Sequence, residues 1–256
     1  MSNNYYQTPQ SEVNQVSQEG NLGTVKSCSS GTGMNWVGES WRLFKSQPGV
    51  WIGMFLVYMI IMMVLSWIPL INFLSSLIAP IFTAGWMIAA VNCDHHGSAK
   101  LDDLFAGFSK NTGTLILVGV ISLLIEVAIG MVVGLVFASS IGMNEMMSMT
   151  SDPQKLMQYA PLLAVFILLF AALVLPVIML VWFAPVLIVQ HNLAAWDAMS
   201  KSFMGCLKNV LPLTLYSIIM LVLLFLGMIP LLLGLLIVMP MLMISVYAAY
   251  KDIFLE

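Results

Sequence analysis

Apolar residues run through this chain in blocks separated by short polar interruptions, and the block lengths set the first structural expectation. No residue between positions 46 and 93 is charged, a run long enough for two helices across a hydrocarbon core of about 30 Å. Ser66, Trp67, Ile68 and Pro69 interrupt it near the middle, which predicts a tight helical hairpin with spans at 50–67 and 70–92. The stretch 210–250 repeats the pattern around Gly227, Met228, Ile229 and Pro230 and predicts spans at 210–228 and 231–250. Between the two hairpins, 114–142 and 161–190 each read as one span. They are joined by a polar loop containing Asn144, Glu145, Ser151, Asp152, Pro153 and Lys155. The pattern predicts an all-α polytopic membrane protein with six transmembrane helices in three hairpins.

A short segment that is apolar on one helical face precedes each hairpin. Val37, Trp41 and Phe44 fall at i, i+4, i+7 opposite Glu39, Arg42 and Ser46, and Lys45 closes the segment. Leu101, Leu104, Phe105 and Phe108 lie opposite Asp102 and Asp103 and are followed by Lys110 and Asn111. Trp196, Met199, Phe203 and Leu207 lie opposite Asp197 and Lys201 and are followed by Lys208 and Asn209. Such segments predict short interfacial helices on the side of the termini. The returning helix of each hairpin carries a proline, Pro80, Pro185 or Pro240, followed by Asp94, Asp197 or Asp252. This reads as three degenerate copies of one unit, an interfacial helix and then a hairpin. A second reading stands beside it, in which Pro, Lys and Asp merely punctuate helix ends at a membrane surface.

Composition agrees with the pattern and narrows the function classes. The chain has 256 residues, of which 60% are hydrophobic and 8% charged, against roughly 25% charged in a soluble domain. That excludes a soluble enzyme, a nucleic-acid binder and a secreted disulfide scaffold. Charge placement then orients the chain. Lys26, Arg42, Lys45, Lys100, Lys110, Lys201, Lys208 and Lys251 share one side of a six-span arrangement, against Lys155 alone on the other. Splitting 161–190 at Pro176 or Pro185 would move Lys201, Lys208 and Lys251 across and erase the bias that normally orients a membrane protein. Both termini are therefore expected in the cytoplasm, with the lipid bilayer as partner. Residues 1–33 are rich in Ser, Asn, Gln and Gly and are expected to form a disordered cytoplasmic tail, leaving 34–256 as the membrane domain. The tail lacks the features of a cleaved secretory signal, so the first span is expected to serve as the targeting signal. Cys28, Cys93 and Cys206 show no spacing that would frame disulfides.

Several strings resemble those of a proteobacterial family of multipass inner-membrane proteins of unknown function. They are Gly38 to Lys45 (GESWRLFK) with Pro48, Gly49, Val50 and Trp51, then Pro80 to Gly85 (PIFTAG), Leu104 to Phe108 (LFAGF), Trp182 to Pro185 (WFAP) and Tyr250 to Phe254 (YKDIF). The resemblance covers about 34–256. More distantly the chain looks like the YciC-like proteins and the membrane region joined to some glycerophosphodiester phosphodiesterases. The resemblance implies six inner-membrane helices and supplies no activity, since the phosphodiesterase catalytic domain has no counterpart here.

Candidate chemistry is sparse. Cys93, Asp94, His95 and His96 offer metal-binding atoms in a row, but neighbouring side chains on a helix diverge by about 100°. Met143, Met146, Met147, Met149 and Met157 offer soft ligands suited to Cu(I), yet methionine is frequent throughout, with 21 in the chain. Neither set is expected to bind metal, and no cofactor motif or catalytic pair is present. Glu126 is the one ionisable residue within a span. Counting onward in fours gives Gly130, Gly134, Ala138 and Gly142, a small-residue row of the kind that lets helices approach closely. Glu126 is therefore expected to face a neighbouring helix and to hydrogen-bond a serine or a carbonyl freed near Pro80, Pro176 or Pro185. Because polar groups are so few, the first functional expectation is a non-catalytic membrane scaffold or partner-binding protein. The alternative is a small-solute or ion transporter built on Glu126.

Overall fold

A computed structural model describes residues 20–67, 72–149 and 151–256. Its elements in order are α1 (Thr32–Ser46), α2 (Pro48–Ser66), α3 (Asn72–His96), a 3₁₀ helix η1 (Leu101–Phe108), α4 (Thr112–Ile141), α5 (Met143–Met149), α6 (Pro153–Val181), α7 (Ala184–His191), α8 (Ala195–Lys208), α9 (Val210–Met228) and α10 (Leu235–Phe254). Among the described residues six stretches are long and apolar enough to cross a membrane, with α6 and α7 counted as one. The protein is an all-α multipass membrane protein. The first hairpin turn, expected around Ser66 to Pro69, lies mostly outside the described residues.

The three returning helices enter the protein interior at their prolines. From Pro80 to Val91 in α3 all side chains but Thr83 are buried, Ala184 to Gln190 of α7 are buried throughout, and α10 is buried without interruption from Ile244 to Tyr250. Helix α3 packs against both α7 and α10. Helices α2, α4, α6 and α9 surround this centre and expose most of their apolar surface. A proline removes one helical N–H; Pro80 and Pro240 lie inside α3 and α10, whereas Pro185 lies in the first turn of α7, just after the break between α6 and α7.

The fourth span is continuous in direction but broken in hydrogen bonding. The Phe183 N–H would bond the Met179 carbonyl in an unbroken helix. Instead it donates to Ser202 Oγ at 2.9 Å, and that hydroxyl donates to the Met179 carbonyl at 2.7 Å. A side chain of α8 is thus inserted into the backbone ladder, with Pro185 following as α7 restarts.

The segments expected to be interfacial also dock on the bundle through one edge. In α1 the buried positions are Gly33, Trp36, Ser40, Leu43 and Phe44, while Trp41 is 40% exposed and stacks on Phe44. The apolar arc is wide, and contact with α9 and α10 selects its Trp36 and Leu43 edge. The segment before α4 is a 3₁₀ helix because it must pass close to α3. A side chain at Gly85 would strike the Leu104 carbonyl, and one at Gly107 would strike that of Ile81.

The tail differs from the expectation of disorder to residue 33. From Gly20 onward the chain is described, and it lies against the end of α10. Gly23 and Lys26 N–H groups donate to the Phe254 and Ile253 carbonyls at 2.8 and 2.9 Å, and Leu22 bridges antiparallel to Leu255. Asn209, fully buried, accepts from the Cys28 N–H at 2.7 Å and donates to the Lys26 and Gly205 carbonyls at 2.9 Å each. Backbone hydrogen bonds supply what the polar sequence cannot gain by apolar burial. The chain from Gly20 and the C-terminal segment therefore lie at the same end of the molecule.

Candidate functional site

Glu126 lies midway along α4, and its face is set by helical spacing. Gly119, Ser122 and Glu126 recur at i, i+3, i+7, and this stripe meets α3. A Cβ at Gly119 would lie 2.8 Å from both the Leu77 Cα and the Ser76 carbonyl oxygen, so glycine there permits backbone-to-backbone approach. One turn further along, the helices part around a cavity of about 360 Å³. Ser76, Pro80 and Thr83 of α3, Ser122 and Glu126 of α4, Trp182 at the α6–α7 break, and aliphatic side chains of α6 and α10 line it.

The polar groups on this wall have a definite sense. Thr83 Oγ1 donates to the Ala79 carbonyl at 3.0 Å and Ser122 Oγ donates to the Gly119 carbonyl at 3.0 Å. Their hydrogens are committed to their own helices, which leaves lone pairs for the cavity. Pro80 has no N–H to offer the Ser76 carbonyl. Glu126 makes no hydrogen bond to another described residue, which corrects the expectation of a serine or proline-freed carbonyl as its partner. The reason is geometric: the α3–α4 contact closes at Gly119 and opens at the level of Glu126.

The small-residue row also behaves differently from expectation. A Cβ at Gly130 would have only the Phe170 ring nearby, at 3.8 Å, and one at Gly134 would have nothing within 4 Å. Gly134 is exposed and Ala138 half-buried. Rings hold α6 away from this face of α4, including the edge-on pair Phe137–Phe166 with centroids 5.1 Å apart. The close approach predicted for Gly130, Gly134 and Ala138 occurs instead at Gly119.

A second constellation, at the end bearing the termini, was not read from the sequence. Arg42 clamps Glu39 with two hydrogen bonds of 2.7 and 2.8 Å and reaches Asp94 at 2.5 Å. Lys251 donates to Asp94 at 2.5 Å and to Glu39 at 3.2 Å, and Tyr247 donates its hydroxyl to Asp94 at 2.9 Å. Two acids and two bases from α1, α3 and α10 thus neutralise one another. The Arg42 guanidinium holds the Glu39 carboxyl below its ordinary value of 4.5, with Lys251 adding to the effect against partial burial. The local signal was the i, i+3 pair Glu39 and Arg42; its long-range partners left none. Beside the network, the Trp36 indole donates to Asp252 at 2.8 Å.

Asp94 is thus engaged in ion pairing, while its neighbour Cys93 contacts Ser46 Oγ at 3.2 Å. Among the described residues no three His, Cys, Asp or Glu side chains converge as a metal site would require. The side chains of Met143, Met146 and Met149 lie outside those described. Lys155, the basic residue expected alone on its side, pairs with Glu145 at 3.0 Å and with Ser148 Oγ at 3.0 Å. A scan against protein-family models and searches of curated proteins and of solved structures gave no match.

Proposed function

We propose that this membrane protein binds a small solute or ion in the Glu126 cavity and carries it across the bilayer. The observation that supports this reading is a carboxyl group midway along a membrane-crossing helix, facing a cavity of about 360 Å³ rather than a closed helix contact. A carboxyl group at that depth is costly and marks a functional pathway by default. The wall also contains Pro80 and the α6–α7 break at Trp182. Interrupted helices at mid-membrane are the usual material of carrier sites, because they free backbone groups and supply places to bend.

The reading extends to orientation. The eight basic residues at the terminal end, against Lys155 at the other, support cytoplasmic termini, and the resemblance noted above supports a bacterial inner membrane. A non-catalytic scaffold or partner-binding role is the second reading. It is favoured by the ion network, which fixes α1, α3 and α10 together at an accessible end.

Single cysteines at Thr83 and Ser122, in a chain whose half-buried Cys28 and buried Cys93 and Cys206 are replaced by Ser, distinguish the two. A carrier predicts modification by a membrane-impermeant thiol reagent from both sides of oriented vesicles, and Glu126→Gln shifts the balance between sides. Protection of both positions from both sides would leave the scaffold reading.

A further inference from the structure

We infer that the Glu126 cavity selects a small organic cation, a protonated amine with an apolar body, over anions, neutral solutes and bare metal ions; this rests on the carrier reading above. Three properties of the wall lead there. The first is the sense of its hydrogen bonding. The Glu126 carboxylate accepts, and the Thr83 and Ser122 hydroxyls have spent their hydrogens on the Ala79 and Gly119 carbonyls, so they accept as well. The Ser76 hydroxyl can serve either way, and the Trp182 indole N–H is the single obligate donor on the wall. An ammonium group donates in up to three directions and accepts in none, which complements such a surface.

The second property is charge. Among the described residues no Lys, Arg or His lines the cavity, so an anion would find no counter-ion there in a medium that amplifies repulsion from Glu126. A neutral solute brings no counter-charge to the carboxyl group, whereas a monovalent cation can pair with it.

The third property is size and lining. At about 30 Å³ per water-sized unit, 360 Å³ holds roughly a dozen non-hydrogen atoms. A divalent cation calls for about six or more oxygen ligands, and this wall offers one carboxyl and three hydroxyl side chains among mostly aliphatic surfaces. Those surfaces suit a hydrocarbon body, and Trp182 adds to the lining an aromatic ring of the kind that attracts cations.

The test uses the full chain, purified in detergent, and isothermal calorimetry with phenethylammonium as probe. Its neutral and anionic counterparts, 2-phenylethanol and phenylacetate, and sodium, potassium and magnesium chloride serve as the competing classes. Phenethylammonium should bind, and Glu126→Gln should weaken it about tenfold or more, the loss expected for one charged hydrogen-bond partner. Met243→Trp, which fills the cavity and leaves the carboxyl in place, should also weaken it, with thermal melts confirming that both variants fold. The inference is overturned if phenethylammonium does not bind, if phenylacetate, phenylethanol or a metal ion binds as well, or if Glu126→Gln binds unchanged. Sided accessibility of Thr83→Cys separates the two ideas. Accessibility from both sides without ammonium binding leaves the carrier reading and removes this ligand class; ammonium binding with access from one side only does the reverse.

Discussion

At the end of the molecule where the chain from Gly20 meets the C-terminal segment, side chains interlock and most polar groups find partners, the buried Gln190 amide and Trp86 indole N–H being exceptions; towards the opposite end, helices present long apolar residues outward. Trp36, Trp51, Trp86, Phe183, Tyr247 and Phe254 are each at most 1% exposed. Trp67, Met157 and Leu231 are 82%, 77% and 89% exposed. In water the second set would signal a defect. In a bilayer it does not, because lipid tails are as apolar as leucine and helix association there gains nothing from hydrophobic burial. The terminal end emerges from that solvent, where its polar backbone and ends of helices must be satisfied, and there tight assembly is selected. Loosely bounded helices at the other end leave room for a cavity in the region where the two regimes meet.

This contrast predicts that equal truncations have unequal effects. Leu187→Ala, in fully buried α7, should lower stability by about 2–5 kcal/mol, since it leaves a void among α3, α7 and α8. Leu135→Ala, 70% exposed on α4, should change it by less than about 0.5 kcal/mol. Chemical unfolding of the detergent-solubilised protein measures both. Equal losses would mean that the outward-facing helices contact one another more than the structure indicates.

What the sequence made legible divides along the same line. Span number and position follow from apolar length alone, and the six expected spans match the helices within a few residues, apart from the fourth, which begins at Pro153 rather than 161, and the sixth, which begins at Leu235 rather than 231. Glu126 stood out because a lone carboxyl in an apolar block has no camouflage. The terminal assembly was nearly invisible. Which edge of α1 is buried depends on where α9 and α10 lie, and Asp94 and Lys251 are 157 positions apart. The Ser202 insertion likewise joins α8 to a break that the prolines only hinted at. Local pattern encodes what a solvent demands of each helix, whereas ion networks and inserted hydroxyls encode which helices meet.

The ion network offers a second way to break the comparison. Asp94 is its hub, with a side chain 16% exposed, and accepts from Arg42, Lys251 and Tyr247. Asp94→Ala removes the acceptor that Arg42, Lys251 and Tyr247 share and leaves Glu39 alone to neutralise both cations, and it should lower stability by about 2 kcal/mol. Combining it with Lys251→Met should be markedly less than additive, because the second change removes the excess positive charge that the first left sharing Glu39. Additive losses would show that these residues do not work as one unit.

The smallest effect expected is a pH dependence confined to the terminal end, and Glu39 supplies it. Its carboxyl is held below the ordinary value of 4.5, chiefly by hydrogen bonding from Arg42 and then by Lys251, against the opposing influence of burial. A group whose folded value is depressed contributes stability that is present above the unfolded value and lost as pH falls through the folded one. The network should therefore be intact at neutral pH and weaken only as the solution is acidified below about 4.5. Arg42 is 56% exposed, so solvent screens the pair and the change should be modest. Melting temperatures taken from pH 7 down to pH 3 should fall less steeply for Glu39→Gln than for the unaltered chain, and raising the salt should shrink the difference between them. Parallel curves would remove Glu39 from the network's energetics. The terminal end would then owe its cohesion to the aromatic side chains beneath the charges, with Trp51 stacked on Trp86 at 6.0 Å and Phe183 edge-on to Phe254 at 5.3 Å.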